Sequence, residues 1–226
     1  MKRIVELDYF RGIAIVLMVI FHAVFDLSYY FGIDIDYTRG FWYYEGKLSA
    51  IMFIAIAGVS SCFSHRPVLR GVRLFLLGMV LTAATYTLDK TNYIKFGILH
   101  FLGSAYTISG PLKRMKLAAV ILLGTAAIAT GIYFNALAVR NPYLFPFGLT
   151  TRSFASLDYY PLLPYFGVFL YGTALGRLFY ARGFRLLGGL TDNPLSRLGR
   201  HSLFIYLVHQ PILLLLLYLA ERTGLL

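Results

Sequence analysis

A single cysteine, Cys62, stands in 226 residues. That excludes an internal disulfide and any cysteine-based zinc or iron–sulfur centre, and its apolar surroundings read as a small core residue. Charge is scarce too. Asp, Glu, Lys and Arg make up 14% of the chain against 58% hydrophobic residues, where a soluble domain carries roughly a quarter charged. Acidic residues are the fewest, 10 against 21 Lys and Arg, for a net charge of +11. No basic segment is interleaved with aromatics, so nucleic acid is not expected as a partner. There is no internal repeat and no low-complexity tract. What remains is a mean hydropathy of +0.69, which reads as one all-α, multi-pass membrane domain over residues 1–226.

Seven apolar segments are expected to span, approximately 9–31, 48–64, 71–88, 94–111, 116–134, 161–180 and 202–220, with six to eight allowed. The stretch NPYLFPFGLTTRSF within 135–160 is broken by Pro and Gly and reads either as an outer loop or as a re-entrant segment. Placing the N-terminus in the cytoplasm puts 13 Lys and Arg on the inner side, Lys2 and Arg3 among them, against 7 on the outer side, as the positive-inside rule requires. MKR followed by an apolar run imitates a signal peptide. Glu6, Asp8 and Arg11 interrupt it, so it reads as an uncleaved first span.

That first span is anomalous. At 100° per residue Arg11, Ile15, Met18, His22 and Asp26 share one helical face. Arg11 and His22 lie about 20° apart around the axis and roughly 16 Å along it. Such a stripe must face protein or a wet cavity, because charge in lipid costs several kcal/mol per group. The i, i+4 spacing lets Asp26 hold one ring nitrogen of His22 and leave the other as a general base. The bland alternative is a hydrogen-bonded structural histidine. His100, between Gly97 and Gly103, is expected at a similar depth and reads equally as structural or functional.

Arg66, Arg70 and Arg73 cluster at the inner start of the third span. They read either as positive-inside residues or as a phosphate-binding patch. In AIAGVSS, Gly58 and Ser60 permit close helix packing or admit a ligand. His209 sits in YLVHQP beside a helix proline that frees a backbone carbonyl; a structural network and a substrate contact are both open. Trp42, Glu45 and Asp158 lie among outer-side aromatics, which serve as interfacial anchors or as sugar-binding groups. No metal site is expected.

DYFRGIAIVLMVIFH, with Arg11 and His22 ten residues apart, resembles the first-span motif of the type-three membrane acyltransferases, in which the histidine is held essential. IMFIAIAGVSS, RGVRLF and SRLGRHSLFIYLVHQP are similar to further segments of that group. Along the whole chain IAGVSS, YIKFGILHFLG and DYYPLLPYFGVFLYG resemble the short prokaryotic relatives of heparan-alpha-glucosaminide N-acetyltransferase. The resemblance implies acetyl-CoA or another acyl-CoA, bound from the cytoplasmic side by Arg11, Arg66, Arg70, Arg73, Gly58 and Ser60. The acyl group would pass to a hydroxyl or amino acceptor, a sugar or other small molecule, on the extracytoplasmic side of a prokaryotic plasma membrane. His22, oriented by Asp26 or His100, is the expected catalytic base, and Trp42, Glu45, Asp158 and His209 the expected acceptor contacts. The lysosomal member places its active histidine in the first outer loop, and residues 31–47 here contain none. Direct transfer and an acyl-histidine intermediate both remain open, as does a homodimer among membrane lipids. The alternative from another class is a transporter or channel using the stripe as a solute or proton path.

Overall fold

The computed structural model of the protein describes residues 4–225; Lys2 and Arg3, counted above for orientation, lie outside them. Eight α-helices are described: α1 (Val5–Tyr29), α2 (Gly40–Ser61), α3 (Pro67–Leu88), α4 (Ile98–Leu112), α5 (Leu117–Asn135), α6 (Leu162–Leu178), α7 (Pro194–Arg200) and α8 (Ser202–Arg222). Among the described residues the only β pairing is two isolated bridges, Phe96–Tyr159 and Ala138–Thr150, so the protein is all-α. Five helices are long and apolar enough to cross a membrane: α1, α3, α5, the run Leu162–Arg182 containing α6, and α8. With the apolar faces of α3 and α8 exposed (Leu76, Val80, Leu215 and Leu216), the chain is an integral membrane protein. Of the other two expected spans, α4 has 15 residues, about 22 Å of helix against a hydrocarbon core of about 30 Å. α2 opens on the polar-aromatic FWYYEGK.

The chain divides within α2 into two compact units, Met1–Ile56 with Arg185–Leu226, and Ala57–Phe184. In the first, α1 packs on α7 and α8. Glu6 and Asp8 occupy the first turn of α1, where negative charge meets the positive end of the helix dipole. Glu6 also accepts the Leu186 and Leu187 amides at 3.2 and 3.1 Å. α7 starts from a capping box: Asn193 Oδ1 accepts the Ser196 amide and Ser196 Oγ accepts the Asn193 amide, both at 3.0 Å, with Pro194 at the first helical position. α1 and α7 cross so closely that a Cβ on Gly12 would strike the Leu195 carbonyl, and one on Gly199 the Asp8 carbonyl.

Asp192 stitches α7 together. Its carboxylate accepts the Ser196 hydroxyl at 2.7 Å and pairs with Arg200 and with Arg197. The Ser196 hydrogen bond, joined by the charges of Arg200 and Arg197 and opposed by desolvation, holds this carboxyl below the usual carboxylate range. A depressed carboxyl contributes stability that is fully present above its unfolded value, about 3.9, and lost as pH falls through the folded value. The docking of α7 is therefore expected to loosen below about pH 4, and Asp192→Asn to remove that acid step. Amide hydrogen exchange in α7 across pH checks this; an unchanged step in the variant would assign it elsewhere.

In the second unit α3 packs on α4, and α6 on both α4 and α5. Gly103 lies over the Phe75 backbone, Gly131 over Pro164 and Gly58 over the Phe169 carbonyl, so small residues set these approaches. Arg177 donates to the Leu112 and Met115 carbonyls at 2.8 Å each, satisfying groups left over at the end of α4. Residues 135–160 form an ordered loop around a 3₁₀ turn, Pro142–Phe147, in which the Tyr159 hydroxyl donates to the Phe145 carbonyl at 2.6 Å.

Candidate active site

His22 occupies the middle of the α1 stripe, and its Nδ1 lies 2.8 Å from the Met18 carbonyl. A carbonyl only accepts, so Nδ1 carries the proton and the neutral ring keeps a bare lone pair on Nε2. This is the tautomer a general base needs. The expected His22–Asp26 pairing is replaced by two separate contacts. Asp26 is fully buried, and its Oδ1 accepts the side-chain amide of Gln210 on α8 at 2.5 Å. The intrahelical carbonyl wins the His22 ring because it lies within reach one turn back, whereas Asp26 faces α8.

The residue that meets His22 is His209. The two rings stand edge to face with centroids 4.7 Å apart and an interplanar angle of 84°. His209 is wired in the same way, Nδ1 donating to the Tyr206 carbonyl at 2.7 Å. Its Nε2 is buried with no hydrogen-bond partner among the described residues, and so are Asp26 Oδ2, Gln210 Oε1 and both carboxylate oxygens of Glu45. Glu45 belongs to the same unit, beside Gly46, on which the Phe21 ring packs. A buried acceptor left unpaired costs about 1–3 kcal/mol. These five orphaned atoms are all acceptors, and three of them belong to carboxylates, a set that suits a donor-rich ligand. Gln210, which the sequence offers beside His209 in YLVHQP as part of a structural network, holds Asp26.

Arg11, on the same stripe nearer the start of α1, pairs with Asp8 at 2.7 Å, and Asp8 also lies 3.8 Å from Arg200. Asp8 and Arg11 are spaced i, i+3 on one helix, whereas Arg200 lies 192 residues beyond Asp8. Trp42 stacks edge to face on Phe41 with centroids 5.0 Å apart.

The remaining candidates belong to the other unit. His100 is 1% exposed and both ring nitrogens are engaged. The Gly97 amide donates to Nδ1 at 3.2 Å, so Nε2 carries the proton and faces Thr82 Oγ1 at 3.3 Å, while that hydroxyl donates to the Ile94 carbonyl at 2.7 Å. Such a closed chain positions α3 against α4 and leaves no lone pair for proton transfer. Asp158 Oδ2 accepts the Ile98 amide at 3.0 Å, capping α4. Gly58 is buried against α6, and the adjoining Ser61 donates to its carbonyl at 2.6 Å; Ser60 is half-buried on the same turn. Arg66, Arg70 and Arg73 are exposed at the first turns of α3. The Arg70 guanidinium lies 4.5 Å over the Tyr106 ring, whose hydroxyl is fixed to the Ala57 carbonyl at 3.0 Å. Three guanidiniums at a helix start suit phosphate groups in charge and in donor geometry.

Among the described residues no group of three or more His, Cys, Asp and Glu is arranged to hold a metal ion. A family model, heparan-alpha-glucosaminide N-acetyltransferase, catalytic, matches residues 3–211, a stretch that contains His22, Asp26, Glu45, His209 and Gln210. No curated protein and no solved structure matches the chain significantly.

Proposed function

We propose, from the premise that the chain belongs to the heparan-alpha-glucosaminide N-acetyltransferase catalytic family, that it moves an acetyl or other acyl group from cytoplasmic acyl-CoA to an amino or hydroxyl acceptor at the extracytoplasmic face. Family and helices together make it a membrane transferase of the acetyltransferase kind; donor, acceptor and sidedness are the proposal. One domain over 1–226, seven spans and a cytoplasmic N-terminus in a prokaryotic plasma membrane complete the reading. It is supported by the family match running through both compact units.

The observation that carries the chemistry is the His22 tautomer. With Nδ1 pinned to Met18, Nε2 takes the proton of the attacking group. The new bond forms at the acyl carbon, the C–S bond breaks, and the thiolate takes the proton back. Arg66, Arg70 and Arg73 hold the nucleotide phosphates, with Ser60 as a further donor; in the other unit Arg11 is proposed as a further donor-side residue. The acceptor atoms of His209, Asp26 and Gln210 favour an acceptor rich in N–H and O–H groups, an amino sugar above a plain alcohol, and Glu45 is proposed as a further acceptor contact. Trp42 is proposed at the edge of this set.

Acetyl-CoA binding tests the donor side. Arg70→Ala and Arg73→Ala are each expected to weaken it about 10-fold, in keeping with about 1.5–3 kcal/mol for a hydrogen bond to a charged group. The loss should be greatest at low salt. Binding unaffected by both substitutions would remove the phosphate role and reopen the transport reading.

A further inference from the structure

We infer that His209 is a second base of the same site, taking the proton that an ammonium acceptor must shed before it can attack. This rests on the amine reading above. The two imidazoles stand 4.7 Å apart, each with Nδ1 donated to a backbone carbonyl and each with Nε2 bare. For one general base a single such ring suffices. The second has its Nε2 buried and unpartnered among the described residues.

Amine chemistry requires two proton acceptors. A primary amino group titrates near the α-amino value of about 7.7–8.0, so near neutral pH it arrives as R–NH3+, without a lone pair. One proton must leave before attack and another as the C–N bond forms. The balance is R–NH3+ plus acyl–S–CoA giving R–NH–acyl, HS–CoA and H+. His209 takes the first proton and releases it to solvent; His22 takes the second and returns it to the departing thiolate. Asp26 Oδ2 and Gln210 Oε1, also unpartnered among the described residues, accept the remaining ammonium hydrogens. A hydroxyl acceptor would need only one base.

The groups around His209 fit this division. From α1 it meets His22, while Asp26 is held by its neighbour Gln210. On its own helix Tyr206 supplies the accepting carbonyl. α7 packs against α8, and its Arg197 and Arg200 are engaged with Asp192.

The test is the pH profile of kcat/KM for the full chain with acetyl-CoA and glucosamine. His209→Asn keeps an amide N–H for the Tyr206 carbonyl and removes the base. Its deficit relative to wild type is expected to be about 100-fold at about pH 6, the lower end for a general base, and to shrink at least tenfold by about pH 9, where the amine arrives neutral. A deficit equal at every pH, as a structural role gives, or no deficit at low pH, would overturn the assignment. Acetyl-CoA binding by the variant at the wild-type level establishes that it is folded; if it is lost, Asp26→Asn with Gln210→Glu, compared at the two pH values, reads the same ammonium cradle. A wild-type chain that acylates sugar hydroxyls but not amines sinks the second base and spares the transferase reading. Transfer to neither sinks both.

Discussion

His22→Ala should lower the rate of acyl transfer about 100- to 10,000-fold, the range in which a positioned general base contributes, and leave acetyl-CoA binding near the wild-type value. The ring's structural part is small: one hydrogen bond to Met18 on its own helix and an edge-to-face contact with His209. Losing both costs about 1.5–2.5 kcal/mol of stability, from about 1 for the bond and about 0.5–1.5 for the aromatic pair. His22→Gln is the sharper variant, since it fills the site without a group that protonates at neutral pH. It should be as inactive as the alanine. Turnover within about threefold of wild type in a single-turnover assay, where binding and product release drop out, would take the base out of His22.

That His22 was readable as a candidate from sequence at all follows from its cost. An ionisable residue inside an apolar run has to be explained, so His22, Asp26 and His209 stand out wherever their partners lie. The partners themselves do not. Asp26 and Gln210 are 184 residues apart, and nothing periodic in the chain couples α1 to α8. The expected Asp26–His22 pair was a local inference, and local spacing loses when a carbonyl one turn back competes for the same nitrogen. The arginines of α3 were visible as charge, whereas the Tyr106 ring beneath Arg70 was not.

Helices show the same division. α1, α3, α5, α6 and α8 are continuous apolar runs and could be read to within a few residues. α2 begins at Gly40, well before the expected 48, because aromatic and charged residues extend a helix without extending its apolar signal. α4 begins at Ile98 and not at 94, because Asp158, 60 residues away, caps it there. α7 was read as loop. Its signature, Asn193, Pro194 and Ser196, is a capping sequence in front of only seven helical residues, too short for any periodicity to show.

The close crossing that α7 makes with α1 leads to the largest expected stability effect. Gly199→Ala should destabilise the protein by about 3 kcal/mol or more, at or above the top of the usual range for overpacking. The new methyl group would run into the Asp8 carbonyl and the Gly12 amide, both backbone atoms, which cannot swing aside as a side chain does. Relief requires α7 to lift off α1, and lifting it strains the pairing of Asp8 with Arg200 and the Glu6 contacts to residues 186 and 187. Gly12→Ala, aimed at the Leu195 carbonyl from the opposite side, should cost a similar amount. The double variant should cost clearly less than the sum, because one separation of the helices relieves both clashes. Equilibrium unfolding in detergent measures all three, and additive losses would mean that the two glycines serve independent contacts. The functional consequence should be graded along α1: Arg11, next to Gly12, shifts with the crossing, while His22 lies roughly 15 Å further up the helix. Variants that stay folded are therefore expected to raise the KM for acetyl-CoA before they lower kcat.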